Sequence, residues 1–460
     1  MDYGIAVPSY INAWKDVQAA EKAGFTHAWF YDSQLIYSDV WATMALAAEN
    51  TEKIKLGTLV AIPSNRIAPV TAAAAATINK LAPGRVIVGI GTGYTGRNTM
   101  GLPALKMKEF RTYASQLKDL LAGKDVLFKE GDRERWIRLI HSKKNSGRND
   151  FFNIEDPIPV MVAANGPKGQ KIVGEISDGW ITTGRSLNVP EGLPNIMKSA
   201  RRAGNSFEQF GGTDTKPYVT VLTSSCVLRE GESISSQRVI KNVGPTLLPG
   251  VHAMWESTFG PGSNLGMSNS GIAEDYNNYI MEYGDKKTPS TLADRRYLDV
   301  HEGHYVYLKE GEEKFVSNDL IARTLTGTGK EINDKLDHLE SVGVNNVALS
   351  VVDSKSAHEL IKDFGEKVIL ERGTPSTYGC ENYIHPAVSE HYRKPMLDNL
   401  QMRQQFGIDV DEVDFKFVRD LDLNAYPEEG EAYAWESLSG LADPFSVTGC
   451  YANCYRDTDN

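Results

Sequence analysis

The alternation of short apolar runs with helical patterns along the first 370 residues constrains the fold of this chain more than any other feature. Eight runs have the composition of buried strands, and most are followed by apolar residues at helical spacing. Strands joined by helical crossovers form parallel sheets. A count of eight favours a closed (β/α)₈ barrel, an α/β fold, over an open doubly wound sheet. The predicted strands cover residues 4–8, 27–31, 55–62, 85–90, 159–163, 179–182, 218–227 and 346–352.

Two long insertions interrupt this alternation. Residues 122–156 are polar and contain a basic stretch, and residues 228–328 separate the seventh strand from the last helix–strand pair. Long insertions in a barrel usually lie at one mouth and shape the substrate site. We therefore expect the insertion after the seventh strand to contribute to function.

The acidic excess of the chain is concentrated at its end. The net charge is −11, and residues 396–460 contain 14 Asp and Glu but 4 Lys and Arg. Such asymmetry indicates a separate segment, and an acidic chain is a poor candidate for nucleic-acid binding. Glycines and prolines interrupt residues 371–395. The predicted organisation is a barrel over 1–370, a linker over 371–395 and an acidic C-terminal extension over 396–460.

The acidic extension ends in a short run rich in Ser, Thr and Cys at residues 443–455. An acidic, amphipathic leader followed by such a core resembles the precursor of a ribosomally made, modified peptide. On that interpretation the chain carries its own substrate. The alternatives are a disordered acidic tail and an oligomerisation arm.

The cellular context follows from what the sequence contains. No run of about 18 apolar residues predicts a membrane span, and the first residues do not resemble a signal peptide. The chain has 4 Cys, too few for a disulfide framework. We expect a cytoplasmic homodimer or higher homo-oligomer that binds neither membranes nor nucleic acid.

A glycine-rich loop after the fourth strand is the strongest local motif. Gly91, Gly93 and Gly96 would let backbone amides approach a ligand, and Arg97 could pair with a phosphate or carboxylate. The same glycines match a dinucleotide fingerprint, but that fingerprint belongs after the first strand of a Rossmann unit. A tight turn without a ligand is the remaining alternative.

Further motifs are spaced along about residues 1–370, mostly at strand ends. They are Ala23-Gly24-Phe25, Leu56-Gly57-Thr58, Gly89-Ile90-Gly91-Thr92-Gly93, Ala163-Ala164-Asn165-Gly166-Pro167-Lys168, Asp178-Gly179-Trp180-Ile181 and Asp294-Arg295-Arg296-Tyr297-Leu298. As a set they resemble the bacterial luciferase-like family of flavin- and deazaflavin-dependent oxidoreductases. The resemblance is informative about family and says nothing specific about substrate.

The resemblance implies where the cofactor binds. The family is a (β/α)₈ barrel with an insertion after strand seven, and its flavin or deazaflavin lies in the C-terminal mouth. A non-proline cis peptide at Ala61–Ile62 is implied behind the ring, and a phosphate site at the start of the helix after Gly166. The cofactor-binding residues implied in this sequence are Ser33, Ala61, Ile62, Gly91, Thr92, Gly93, Arg97, Ala164, Asn165, Gly166, Pro167, Thr182 and Thr183.

Three residues are candidates for proton transfer. Asp32 ends the second strand, where it could be catalytic or could cap a turn or helix. His301 and His304 could donate a proton on the substrate side, or could be structural. Their spacing is not that of a His-Glu-x-x-His zinc motif, and we predict no metal site.

The resemblance to a deazaflavin-using branch favours coenzyme F420 and hydride transfer to a small-molecule or peptide substrate. FMN is the alternative cofactor, and it would permit monooxygenation with O₂. A non-catalytic barrel that binds a flavin and presents the extension to a partner is the alternative from another class.

Overall fold

Residues 1–148, 151–183, 188–213, 216–260, 270–286 and 295–373 are described by a computed structural model. The strands are β1 (Asp2–Val7), β2 (His27–Phe30), β3 (Lys55–Thr58), β4 (Val86–Ile90), β5 (Val126–Glu130), β6 (Arg133–Ile137), β7 (Val160–Ala163), β8 (Gly179–Thr183), β9 (Tyr218–Val227), β10 (Leu325–Gly327) and β11 (Asn346–Ser350). The helices are α1 (Ala13–Lys22), α2 (Val40–Glu49), α3 (Ala68–Leu81), α4 (Tyr94–Asn98), α5 (Met107–Leu121), α6 (Lys143–Ser146), α7 (Pro167–Ile176), α8 (Asn188–Ala203), α9 (Gln237–Leu247), α10 (Pro249–Phe259), α11 (Ser270–Asp285), α12 (Arg296–His301), α13 (Asn318–Ala322), α14 (Gly329–Ser341) and α15 (Ser354–Phe364).

Eight parallel strands close into a barrel in the order β1, β2, β3, β4, β7, β8, β9 and β11. The last strand returns to the first, with Asp2 opposite Asn346 and Ala6 opposite Ser350. The strands are buried on nearly every residue because helices cover the outside and side chains fill the inside. The predicted (β/α)₈ barrel is therefore confirmed.

Local sequence signals set the start of several helices. The Asp39 carboxylate accepts hydrogen bonds from the backbone amides of Trp41 and Ala42 at the start of α2. Thr328 and Glu331 form a reciprocal capping box at the start of α14. Such caps satisfy amides that have no partner within the helix, which fixes where the helix begins.

The third strand ends earlier than the sequence pattern predicts. β3 stops at Thr58, and the cis peptide bond lies between Leu59 and Val60, so the placement at Ala61–Ile62 was wrong. Ala61 instead forms a bridge to β4: its amide donates to the Gly89 carbonyl at 2.8 Å, and its carbonyl accepts from the Gly91 amide at 3.2 Å. These two bonds hold Ala61 in register with β4.

The barrel interior is packed around the indole of Trp29. A Cβ on Gly4 would lie 2.7 Å from the indole Nε1, and a Cβ on Gly57 would overlap the six-membered ring of the same indole. The indole N–H donates to the Asn346 side-chain oxygen at 3.2 Å, and the His27 ring stacks on it with centroids 5.7 Å apart. The two neighbouring strands thus leave room for a side chain this large only because they carry glycine there.

Both insertions fold into structure of their own. The first contains the antiparallel hairpin β5–β6, which the polar composition did not predict. The second forms α9 to α13 around a separate apolar core that includes Val243, Trp255 and Tyr276, and β10 then pairs with β9. Among the described residues, no helix is long and apolar enough to cross a membrane.

The predicted linker from residue 374 onward and the acidic extension over 396–460 lie outside the described residues. The barrel's last helix, α15, is followed by a π-helical turn at Gly365–Ile369.

Candidate active site

The carboxyl ends of five consecutive barrel strands form an arc at one mouth. The loops after β2, β3, β4, β7 and β8 carry nearly all the predicted cofactor residues. A Cβ on Gly91 would lie 2.6 Å from Val60 Cγ2 and 3.7 Å from Ala163 Cβ, so the loops after β3 and β4 and the end of β7 are closely packed. Barrels of this type place their ligands at these strand ends.

Asp32 joins the first two loops of the arc. Its carboxylate accepts a hydrogen bond from the Ile62 backbone amide at 3.1 Å and a longer one from the Asn65 side-chain Nδ2 at 3.4 Å. Burial raises the pKa of the Asp32 carboxyl above its ordinary value, and these two donors only partly oppose that effect. A carboxyl in such a setting can hold or release a proton nearer to neutral pH than an exposed one.

Ser33 holds the turn after Asp32 through its backbone carbonyl. The residue is buried, and its carbonyl accepts hydrogen bonds from the amides of Ile36 and Tyr37, both at 2.9 Å. It therefore stabilises the turn that follows Asp32.

The glycine-rich loop packs tightly against the loop after β3. Gly93 has φ +82°, and a Cβ there would lie 2.5 Å from Ile62 Cγ2. The Thr92 carbonyl accepts from the Leu105 amide at 3.0 Å, and the Arg97 Nε donates to the Pro103 carbonyl. Glycine is thus required here by contact with protein atoms and by a left-handed backbone.

The loop after β7 and the strand β8 form one hydrogen-bonded unit. The Asn165 side-chain oxygen accepts from Thr182 Oγ1 at 2.8 Å and from the Thr183 amide at 3.4 Å. The Ala164 carbonyl accepts from the Trp180 indole N–H at 2.7 Å. The structure therefore brings these predicted cofactor residues together and fixes their orientation.

The start of α7 is open at the end of this arc. Gly166 is the N-cap residue and makes no side-chain cap, and a Cβ built on it would meet no atom within 4 Å. Pro167 has no amide hydrogen, and α7 has its positive dipole end here, beside the amides of Lys168 and Gly169. This geometry fits a phosphate group, the group that the sequence resemblance places at this helix.

The second insertion covers the mouth. The His304 Nε2 lies 3.1 Å from Thr95 Oγ1, and its carbonyl accepts from the Tyr37 hydroxyl at 3.4 Å. The next residue, Tyr305, has φ +63°, and its ring lies 5.6 Å from the Tyr31 ring. The insertion thus forms a roof over the strand ends.

The two predicted histidines lie in a buried cluster that sequence reasoning did not detect. His252 and Glu256, both on α10, face them: His252 Nδ1 is 2.9 Å from His304 Nδ1, and His301 Nε2 is 2.9 Å from the Glu256 carboxylate. Burial lowers the pKa of His252 and His304 well below the ordinary value, so both rings are neutral. The sequence feature that could have indicated this cluster is the pair His252 and Glu256, four residues apart on the mostly apolar helix α10.

Comparison with known proteins agrees with this architecture. The sequence model of the luciferase-like monooxygenase family matches residues 7–346. The solved structure of a coenzyme F420 dependent tetrahydromethanopterin reductase from Methanopyrus kandleri covers 80% of this chain and 99% of its own, with a TM-score of 0.53 at 21% identity. That likeness concerns the fold.

Curated relatives match over part of their length. An F420-dependent hydroxymycolic acid dehydrogenase of Mycobacterium tuberculosis is 32% identical over 207 residues, which are 42% of this chain and 55% of that protein. A 5,10-methylenetetrahydromethanopterin reductase of Methanolobus tindarius is 31% identical over 191 residues, 40% of this chain and 54% of the relative. The chain thus spans about half the length of the curated relatives it matches.

Proposed function

Because the chain belongs to the luciferase-like monooxygenase family, we propose that it is an oxidoreductase that uses coenzyme F420, with FMN as the alternative cofactor. The similar dehydrogenase and reductase both support a redox enzyme, and the dehydrogenase is itself named as F420-dependent. The substrate class, a small molecule or a peptide, is part of the same proposal.

The observation that carries this proposal is the open start of α7 at the end of the arc. The amides of Lys168 and Gly169 would hold the cofactor's phosphate, with Asn165 and Thr183 beside them. The loops around Val60, Ile62 and the glycine-rich loop after β4 would line the ring system.

When bound, reduced deazaflavin supplies a hydride. The chain's own residues would orient the hydride acceptor, exclude water and donate or accept the proton. The Asp32 carboxyl, held by the Ile62 amide, would give or take a proton at its free lone pairs. Tyr305 and the rest of the roof would keep solvent from the acceptor. Catalytic roles for His301 and His304 also remain proposals.

A comparison of the two cofactors tests the proposal. The full chain is titrated with oxidised F420 and with FMN, and each reduced cofactor is then mixed with the protein with and without O₂. We expect tighter binding of F420 and no O₂ consumption with reduced F420. Reduced FMN reacts with O₂ by itself, so its samples are compared with reduced FMN without protein. Preference for FMN with O₂-dependent product would instead establish a monooxygenase, and binding without turnover of any acceptor would favour the non-catalytic barrel.

A peptide substrate within the same chain is the second candidate. Residues 396–460 are strongly acidic, and Ser446, Thr448, Cys450 and Cys454 lie close together near the end. We propose that this segment is modified by the barrel after dehydration of its Ser and Thr residues. Mass spectrometry of this segment, after expression with the neighbouring genes, should show a gain of about two mass units for each reduced residue relative to the dehydrated segment. An unmodified segment would contradict this candidate and leave the cofactor proposal standing.

The expected homo-oligomer is a proposal as well. Light scattering of the full chain would establish the number of subunits. A monomer at micromolar concentration would contradict it.

A further inference from the structure

We propose that His252, His301 and His304 form a site for one divalent transition-metal ion of the zinc type. The three rings come from α10, from the last residue of α12 and from the turn after it. All three side chains are buried, and each offers a ring nitrogen that lies within 4.8 Å of the other two. Buried imidazoles gathered at one point are typical ligands of zinc, copper, iron and nickel.

The separations between the nitrogens suit a single ion. His252 Nδ1 and His304 Nδ1 are 2.9 Å apart. A tetrahedral ion at about 2.0–2.1 Å from each nitrogen would hold two such nitrogens roughly 3.3 Å apart. Only shifts of a few tenths of an ångström are needed for this pair. Nδ1 of His301 is buried and makes no hydrogen bond within the described residues, so it can complete the set.

The outer nitrogen of each ring already has the partner that a metal-bound histidine needs. His301 Nε2 lies 2.9 Å from the Glu256 carboxylate, and His304 Nε2 lies 3.1 Å from Thr95 Oγ1. His252 Nε2 lies 2.9 Å from the Tyr276 hydroxyl. Metal-binding histidines almost always use their second nitrogen in this way, which orients the ring and raises its basicity.

The charges around the cluster also favour a cation. Glu256 and Glu312 are both buried, at 2% and 0% exposure. Lys309 Nζ lies 2.6 Å from the Glu312 carboxylate and balances that charge. Glu256 has His301 as its ion-pair partner among the described residues, so a positive charge at the rings would stabilise it.

The site would keep one coordination position for a ligand from outside the cluster. Within the described residues, no fourth His, Cys, Asp or Glu belongs to the group. Three protein ligands with one position left are typical of catalytic rather than structural zinc sites. The ion would lie on the Nδ1 side of the His304 ring, opposite the Nε2 that contacts Thr95 of the glycine-rich loop, and the remaining position would be left for a water molecule.

The proposal differs from the expectation based on the spacing of His301 and His304. That spacing contained no third ligand, because His252 precedes His301 by 49 positions and is brought to it only by the packing of α10 against α12.

Metal binding by the untagged full chain tests the proposal. Cys380, Cys450 and Cys454 are first replaced by Ser, because thiolates also bind zinc. The chelator-treated protein is then titrated with Zn²⁺ and, separately, with Co²⁺, whose visible spectrum reports tetrahedral nitrogen coordination. We expect one equivalent of either ion per chain and a tetrahedral cobalt spectrum.

Substitutions within the cluster provide the second measurement. His252→Ala and His304→Ala should each weaken Zn²⁺ binding at least tenfold, whereas His338→Ala, at an exposed histidine on α14, should leave it unchanged. Circular dichroism checks that each variant folds. A featureless cobalt spectrum with less than about a tenth of an equivalent of bound ion would show a hydrogen-bonded histidine cluster only and would overturn the proposal. Undiminished binding by both folded variants would overturn it as well.

Discussion

Gly166→Asp separates cofactor binding from stability, because the two should change in opposite directions. Gly166 is exposed, has φ −96° and ψ 163°, and a Cβ there meets nothing within 4 Å, so the substitution causes no steric strain. An Asp at this N-cap position can accept hydrogen bonds from the first free amides of α7. The expected gain in the free energy of unfolding is a few tenths of a kcal/mol, about 0.3, relative to Gly.

The same carboxylate would repel a phosphate at the start of α7. Two unit charges about 4 Å apart repel by about 1 kcal/mol in water and by about 4 kcal/mol near a protein surface. The phosphate would also lose an amide donor, at a further 1.5–3 kcal/mol or so. Taking the low end of both effects, about 2.5 kcal/mol, we expect the Kd for F420 to rise by about 60-fold.

The assay is fluorescence titration with F420 alongside thermal unfolding. Gly166→Asn is the matched control, because Asn caps the helix equally well without the charge and so isolates the repulsion. A deazaflavin that lacks the phosphate arm should bind the wild-type chain and Gly166→Asp alike. Wild-type affinity of Gly166→Asp for F420 would refute the assignment of the phosphate to α7.

Three further substitutions test the site and its roof. Asp32→Asn should abolish proton transfer. Because burial raises the pKa of Asp32, its contribution to stability is lost as pH rises from its ordinary pKa to the raised one, so the free energy of unfolding in urea should not show this fall in the variant. An identical pH dependence of the two proteins would contradict a raised pKa of Asp32. Gly91→Ala should destabilise the fold by about 1–3 kcal/mol in thermal unfolding because its Cβ would overlap Val60, whereas Gly250→Ala, with open space at Cβ, should not. Equal stability of the two variants would contradict the close contact between Gly91 and Val60. Lys309→Met should cost about 3–5 kcal/mol because it leaves the Glu312 carboxylate buried beside fewer donors, whereas Lys286→Met, which breaks an exposed pair, should have little effect. Equally small effects of the two substitutions would contradict a stabilising role of the buried pair.

Much of the barrel could be predicted because its signals are local. The strand Tyr218–Val227 has the bounds that the pattern predicts, since an apolar run is a property of neighbouring residues. The third strand was predicted too long. Its apolar composition continues to Ile62, but the backbone leaves the regular ladder after Thr58.

The strand-end positions of the predicted site residues could be deduced from the sequence, whereas their contacts could not. Positions at strand ends follow from the barrel, so the grouping of Asp32, Ile62, Gly91 and Asn165 at one mouth could be deduced. The contact of Gly93 with Ile62, by contrast, depends on how two loops pack. The histidine cluster could not be predicted either, because it depends on the packing of α10 against α12 and no local pattern links these helices.

The enclosure of Trp29 by Gly4 and Gly57 has an evolutionary consequence. Neither glycine can acquire a side chain while the indole remains, and the indole cannot shrink without leaving a void between them. Substitutions at these three positions should therefore be accepted only in concert. Homologous chains that retain the indole are expected to retain both glycines, and a survey of related sequences that finds the three drifting independently would contradict this.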